Sequence, residues 1–208
     1  MMFEAFSSAF EIDHELSQSA IQVSEALPKA TGLEVFLQTF AGSSFNRGLY
    51  RVHTPQSMLQ WNQLALKAFP ELPKGIFCFG YDWLGRQFCL DPSRMESGEP
   101  LVVMLEPGTG DYFEIPTSFL QFHNEELDNH ADAALATGFH ADWLKASNQV
   151  PAHSQCVGYN HPLFLGGNDD IANLTLSDMS IYWDVMVQLI CKTRDLPPGT
   201  PIGEIAFK

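Results

Sequence analysis

Basic residues are scarce. Eleven Lys and Arg stand against 25 Asp and Glu, for a formal net charge of −14. Such a field repels nucleic acid and anionic membrane surface and steers a basic partner toward the protein, so no nucleic-acid or membrane partner is expected. The same imbalance serves solubility, and charge alone leaves both readings open. Cysteine is sparse as well: Cys78, Cys89, Cys156 and Cys191 show neither CxxC spacing nor a disulfide framework, and 208 residues bury enough core to need no staples. Reduced core thiols are the expectation. No segment approaches the ~20 apolar residues of a membrane span, and Met1-Met2-Phe3-Glu4-Ala5-Phe6 lacks a basic n-region, so a reducing cytoplasm is the expected home. Catalytic signatures are missing too. There is no HExxH, GxSxG, GxGxxG or GxxxxGK, and the two glycine-rich stretches, Gly80 to Gly85 and Leu165 to Asn168, sit beside acids where a phosphate would be repelled. No cofactor and no enzymatic activity is expected, and there is no internal repeat or low-complexity tract.

What is present centres on Ile76-Phe77-Cys78-Phe79-Gly80-Tyr81-Asp82-Trp83-Leu84-Gly85-Arg86-Gln87-Phe88-Cys89-Leu90-Asp91. Two apolar, aromatic-rich runs flank Asp82 to Gly85, the pattern of a β-hairpin whose turn uses a short polar side chain and a glycine. Asp82 and Arg86 are placed to pair across that turn, and Cys78 and Cys89 to be neighbours on its arms. A second hairpin follows, Pro100 to Glu106 and Asp111 to Ile115 around Pro107-Gly108-Thr109-Gly110. Two successive hairpins make an antiparallel meander the economical sheet.

Helical patterns surround these strands. Residues 3–27 fit one or two amphipathic helices, and Leu33, Phe36, Leu37 and Phe40 a shorter one. Gly48 to His53 alternates like a first strand, and Thr54-Pro55 caps a helix carrying Met58, Trp61, Leu64, Ala65 and Phe69. Further helices are predicted from Pro116 to Asp128, over Ala131 to Ala136 and over Phe139 to Ala146. Pro151 to Asn160 reads as a loop, His161 to Leu165 as an apolar strand, and Ile171 to Leu176 as another. Ser177-Asp178 then caps a final helix with Ile181, Val185 and Leu189 on one stripe. The fold class is α+β: a mainly antiparallel sheet with N-terminal helices packed on it and a small C-terminal α/β subdomain. The division falls at 1–150 and 151–208, with a shared core left open.

Between Arg94 and Lys145 there is no Lys or Arg, while acids accumulate. Glu96, Glu99, Asp111, Glu125, Glu126, Asp128 and Asp132 mark a candidate docking surface for a cationic partner, with Tyr112 or Phe113 as aromatic anchors. A solvated face is the alternative. His123, Glu126, His130, His140 and Asp142 form the best metal candidate, since imidazole and carboxylate suit a transition ion, but their spacing matches no recognised zinc site and no metal is expected.

Gly80-Tyr81-Asp82-Trp83-Leu84-Gly85-Arg86-Gln87-Phe88 and Pro162-Leu163-Phe164-Leu165-Gly166-Gly167, followed by Asn173-Leu174 and Tyr182-Trp183, carry a resemblance. With Gly48-Leu49-Tyr50-Arg51 and Trp61 they resemble bacterial proteins that pair a GAD-like domain with the C-terminal immunity domain found beside type VI secretion DNase toxins. The plan is more loosely similar to the SUKH (Smi-type) superfamily. The resemblance runs from about Gly32 to the C-terminus. It implies an immunity role in which the chain binds a cognate nuclease toxin and blocks its active site or its access to DNA; it brings no catalytic residues. An acidic regulatory or scaffolding module without a toxin partner is the alternative. A hydrolase using His123, His130 and His140 would require metal.

Overall fold

The structure, a computed structural model, describes residues 2–15, 27–197 and 200. Its middle layer is a seven-stranded antiparallel meander in strict chain order: β1 (Ile12–Glu15), β2 (Ser43–Phe45), β3 (Tyr50–Val52), β4 (Phe77–Asp82), β5 (Gln87–Glu96), β6 (Glu99–Glu106) and β7 (Asp111–Ser118). A separate pair, β8 (Gln155–Tyr159) and β9 (Leu174–Asp178), forms a small antiparallel sheet. The helices are α1 (Glu4–Ala9), α2 (Leu33–Phe40), α3 (Pro55–Ala68), α4 (Phe119–Gln121), α5 (Leu127–Asn129), α6 (Ala131–Leu135), α7 (Thr137–Ser147) and α8 (Met179–Thr193). The chain is thus α+β. Among the described residues, no helix is long and apolar enough to cross a membrane.

The apolar runs of the first hairpin are continuous because β4 and the first half of β5, through Asp91, are buried on both faces. Successive residues alternate between two cores. Phe79, Phe88 and Leu90 join the core beneath α1, α2 and α4; Cys78, Tyr81 and Cys89 join the one beneath α3 and α8. The first core is dense in rings: Phe6 meets Phe36, Phe40 and Phe45 edge to face at 5.1–5.6 Å, an arrangement the ring quadrupole favours. Residues beyond position 150 contribute to both cores, Val157, Tyr159 and Leu174 to the first and Cys156, Met179, Tyr182, Trp183 and Met186 to the second.

Helix starts follow their local chemistry. Thr54 and Ser57 form a reciprocal capping box with Pro55 at the first turn of α3, and Asp178 accepts the Ile181 N–H at 3.0 Å to start α8. Elsewhere tertiary contacts override the sequence pattern. The expected first strand is the third, because Ser43–Phe45 and Ile12–Glu15 pair ahead of it. The N-terminal helical reading holds only for Glu4–Ala9, and its continuation through Leu16, Ala20 and Ile21 lies outside the described residues. Pro116 to Ser118 extend β7 instead of opening a helix, and the helix beyond passes through a π-helical turn at Phe122–Glu126. Gln155–Tyr159 is a strand, not a loop, since the Val157 N–H donates to the Trp83 carbonyl at 2.7 Å and its other neighbour is β9. His161 to Leu165 is no strand: Asn173 holds it as a loop, donating to the His161 and Asn168 carbonyls at 2.8 Å each and accepting the His161 N–H at 2.9 Å. The short 3₁₀ turn Leu163–Leu165 results, and Ile171–Asn173 is a second one before β9.

Candidate functional site

Polar groups concentrate at two places with opposite surroundings. The first is the turn of the β4–β5 hairpin. Cys78 through Asp91 are buried without interruption, turn included. Asp82 Oδ1 accepts the N–H groups of Leu84 and Arg86 at 3.0 Å each, while Arg86 Nε and Nη2 donate to Oδ2 at 2.6 and 2.5 Å. The expected pair across the turn is therefore formed. Arg86 also donates to the Ala134 carbonyl at 3.1 Å and lies 3.6 Å from Glu106, whose other oxygen accepts the Gly108 N–H at 3.0 Å. Gly85 is required here: its φ is +78°, and a Cβ would sit 3.1 Å from Cys156 Sγ.

This turn is joined to the rest of the chain from three directions. Trp183 of α8 donates to the Gly85 carbonyl at 2.7 Å, Trp83 donates to the Leu135 carbonyl at 2.9 Å, and Val157 donates to the Trp83 carbonyl. Arg51 is fully buried; it donates to the Asp82 carbonyl at 2.7 Å, the Ala152 carbonyl at 2.8 Å and the Gln155 carbonyl, with its guanidinium 4.6 Å above the Tyr81 ring. Burial pushes the Glu106 carboxyl up to about 7, against the pull of Arg86 and with Asp82 adding to the rise. Burial likewise lifts the Asp82 carboxyl above its usual range despite Arg86. The shifts mark desolvation of a committed network, which holds the fold together.

The histidines of the metal candidate are not brought together. His123 lies inside the aromatic core with both ring nitrogens engaged, Nδ1 donating to the Phe119 carbonyl at 2.9 Å and Nε2 accepting from the Tyr50 hydroxyl at 3.0 Å. Burial pushes it down to about 3, so it stays neutral. His140 is buried elsewhere, 5.1 Å from the Trp83 ring, while His130 and Asp142 are exposed. Among the described residues no group of three metal-binding side chains gathers.

The second place is the acidic run. Register divides it. Glu96 and Glu99 face each other at the β5–β6 turn; Asp111 faces Glu106 at the far end of β6, and strand β7, eight residues long, separates the two ends. Glu99 accepts the Thr31 N–H at 2.8 Å and its hydroxyl at 2.6 Å, fastening the approach to α2. Asp132 accepts the Gly138 N–H and the Thr137 hydroxyl at 2.8 Å each, and those bonds hold its carboxyl below the usual range. Both are therefore engaged in holding local structure. Glu96, Asp111, Glu125 and Asp128 are exposed, and Glu126 is half-buried on the π-helical turn.

Strand β7 is the exposed member of this set. Among the described residues it pairs with β6 alone, and Asp111, Tyr112, Phe113 and Glu114 are all exposed. Tyr112 keeps an edge contact with Phe69 at 6.0 Å, Glu114 pairs with Arg94 at 3.3 Å, and Phe113 is 46% exposed. The sequence signal for this edge is position: β7 is the last strand of the consecutive hairpins and runs directly into a helix.

These features define an α+β protein with a sheet between two helical layers, one buried polar turn and one open acidic edge. No protein-family model matches the chain, and no curated protein matches it. Among solved structures it is similar to the crystal structure of Atu4351 from Agrobacterium tumefaciens, with a TM-score of 0.63 at 14% identity over 89% of this chain and 88% of that one. At that identity the likeness is one of fold.

Proposed function

We propose that this chain is an immunity protein that binds and neutralises a cognate secreted nuclease toxin in the cytoplasm, by steric and electrostatic blocking. The observation that carries the reading is β7: a sheet edge open among the described residues, exposing Tyr112 and Phe113 between Asp111 and Glu114, on a protein of net charge −14. A nuclease must present cations to phosphate, and an acidic surface with aromatic anchors competes for those groups. The resemblance of the Gly80 to Phe88 and Pro162 to Gly167 blocks to immunity proteins points the same way.

The test is to mix the purified protein with the catalytically disabled product of a nuclease gene encoded beside it, and to add the protein to the active nuclease in a DNA-cleavage assay. A stoichiometric complex and loss of cleavage are expected. Reversing Glu125, Glu126 and Asp128 to Lys should slow association and make it less dependent on salt. A folded nuclease that neither binds nor is inhibited overturns the reading and leaves the regulatory or scaffolding module.

A further inference from the structure

The two edges of the main sheet are unlike. β1 is four residues long with an irregular register against β2, whereas β7 is eight residues long, regularly paired with β6 from Asp111 to Ile115 and broken in register only beyond it, at Pro116 and Thr117. Natural sheets guard a long edge with lysines, bulges, proline or a covering segment, because its unpaired N–H and C=O groups template another strand. Here the guard is slight. Among the described residues the cation bonded to β7 is Arg94, which meets Glu114 and the Val102 carbonyl, and Pro116 with the register break beside it comes only near the end of the strand.

Side-chain alternation gives this edge a pattern. Asp111, Phe113 and Ile115 lie on the sheet face of Met104 and Val102; Tyr112 and Glu114 lie on the face of Leu105 and Val103. Each face of the edge thus offers an aromatic ring with a carboxylate two residues away. A strand laid alongside would bring its own side chains about 5 Å from these groups, which suits a segment carrying Lys or Arg and apolar residues.

From this, and resting on the nuclease-binding reading above, we infer that β7 is the docking edge, and that its occupant is an extended, cationic segment of the nuclease that adds to the sheet as an eighth strand. Main-chain hydrogen bonds then supply affinity, and the ring and carboxylate on each face supply selectivity. A second copy of this chain is a poorer occupant, since two molecules each of net charge −14 repel.

Hydrogen exchange read by mass spectrometry tests the proposal, comparing the protein alone with its complex with the catalytically disabled nuclease. Slowed exchange at amides within 111–117 is expected on complex formation, and Phe113→Lys should weaken the complex by about tenfold or more while circular dichroism and melting stay unchanged. A complex that forms with unchanged exchange over 111–117, and that tolerates Phe113→Lys, overturns strand addition and leaves the immunity reading standing. Protection of 111–117 that grows with protein concentration in the absence of nuclease shows self-pairing and overturns the assigned occupant. Failure to form any complex removes the immunity reading and the docking edge together.

Discussion

The turn from Asp82 to Arg86 and the strand from Asp111 to Ser118 belong to consecutive hairpins and have met opposite fates. The turn is buried under α6, β8 and α8, with its carboxylate, guanidinium and carbonyl groups each given a partner. Among the described residues the strand has no partner along one side, and it exposes both of its aromatic rings. Loops and turns ordinarily run over a protein surface, because buried main-chain groups need partners. Here the Trp183 indole, the Arg51 guanidinium, the Val157 N–H and the Asp82 carboxylate supply those partners, and in doing so they join the C-terminal segment to the sheet. The conspicuous motif is therefore a fastening, and the surface open to a partner is built from ordinary residues distinguished by having no further strand paired to them among the described residues.

The largest effects should follow from damage to the turn. Trp183→Ala removes a fully buried ring and leaves the Gly85 carbonyl without its donor, so unfolding free energy from urea titration should fall by about 4 kcal/mol. Because residues on both sides of position 150 share two cores, the loss should come in one transition seen alike by fluorescence and circular dichroism. Two separated transitions would show that the C-terminal segment melts by itself and would break the account of the turn as a fastening. Arg86→Ala comes next, at about 3 kcal/mol, since it leaves Asp82 and Glu106 as buried acids without their cation.

The pH dependence of stability sharpens the comparison, because the strongly shifted carboxyls belong to the buried network. Glu106 has a folded value near 7, above its ordinary 4.5, so the folded state holds the extra proton and this group's contribution is lost as pH rises through that window. His53 and His123 are shifted the other way, to about 3 by burial, and His140 to about 4. Between their folded values and the ordinary 6.5 the unfolded state binds more protons, so these three contribute stability that grows with pH. Three histidines outweigh the two raised carboxyls, Glu106 and Asp82, and the urea midpoint should rise from pH 4.5 to about 6.5. Glu106→Gln removes one opposing contribution and should make that rise steeper. A shallower rise would mean that Glu106 is ionised throughout and that the turn is less desolvated than its burial implies.

How much of this was legible follows from what each element depends on. The two central hairpins, the Asp82–Arg86 pair, the Thr54 cap and the Asp178 cap depend on residues within a few positions of one another, and the sequence reading placed them correctly. Strand β8 depends on the Trp83 carbonyl, and the loop from His161 depends on the Asn173 amide; neither partner is visible from the segment it organises. The acidic run was legible as a count, but its division between the two ends of the sheet required the register. So did the discovery that Glu99 and Asp132 are tied to Thr31, Thr137 and Gly138, leaving the exposed carboxylates and the β7 rings as the groups able to meet a partner.

The smallest effect on stability is expected at β7. Phe113→Lys replaces a ring that is 46% exposed and contributes little buried area, so it should shift unfolding free energy by no more than about 0.5 kcal/mol. Asp132→Ala provides the contrast within the acidic run: it removes the acceptor for the Gly138 N–H at the start of α7 and should lower the melting temperature slightly while leaving nuclease affinity unchanged. The two variants thus separate holding the fold from meeting a partner, one moving affinity without stability and the other stability without affinity. If Phe113→Lys instead destabilised the protein as Arg86→Ala does, β7 would be part of the packed structure, and the division between buried turn and open edge would fail.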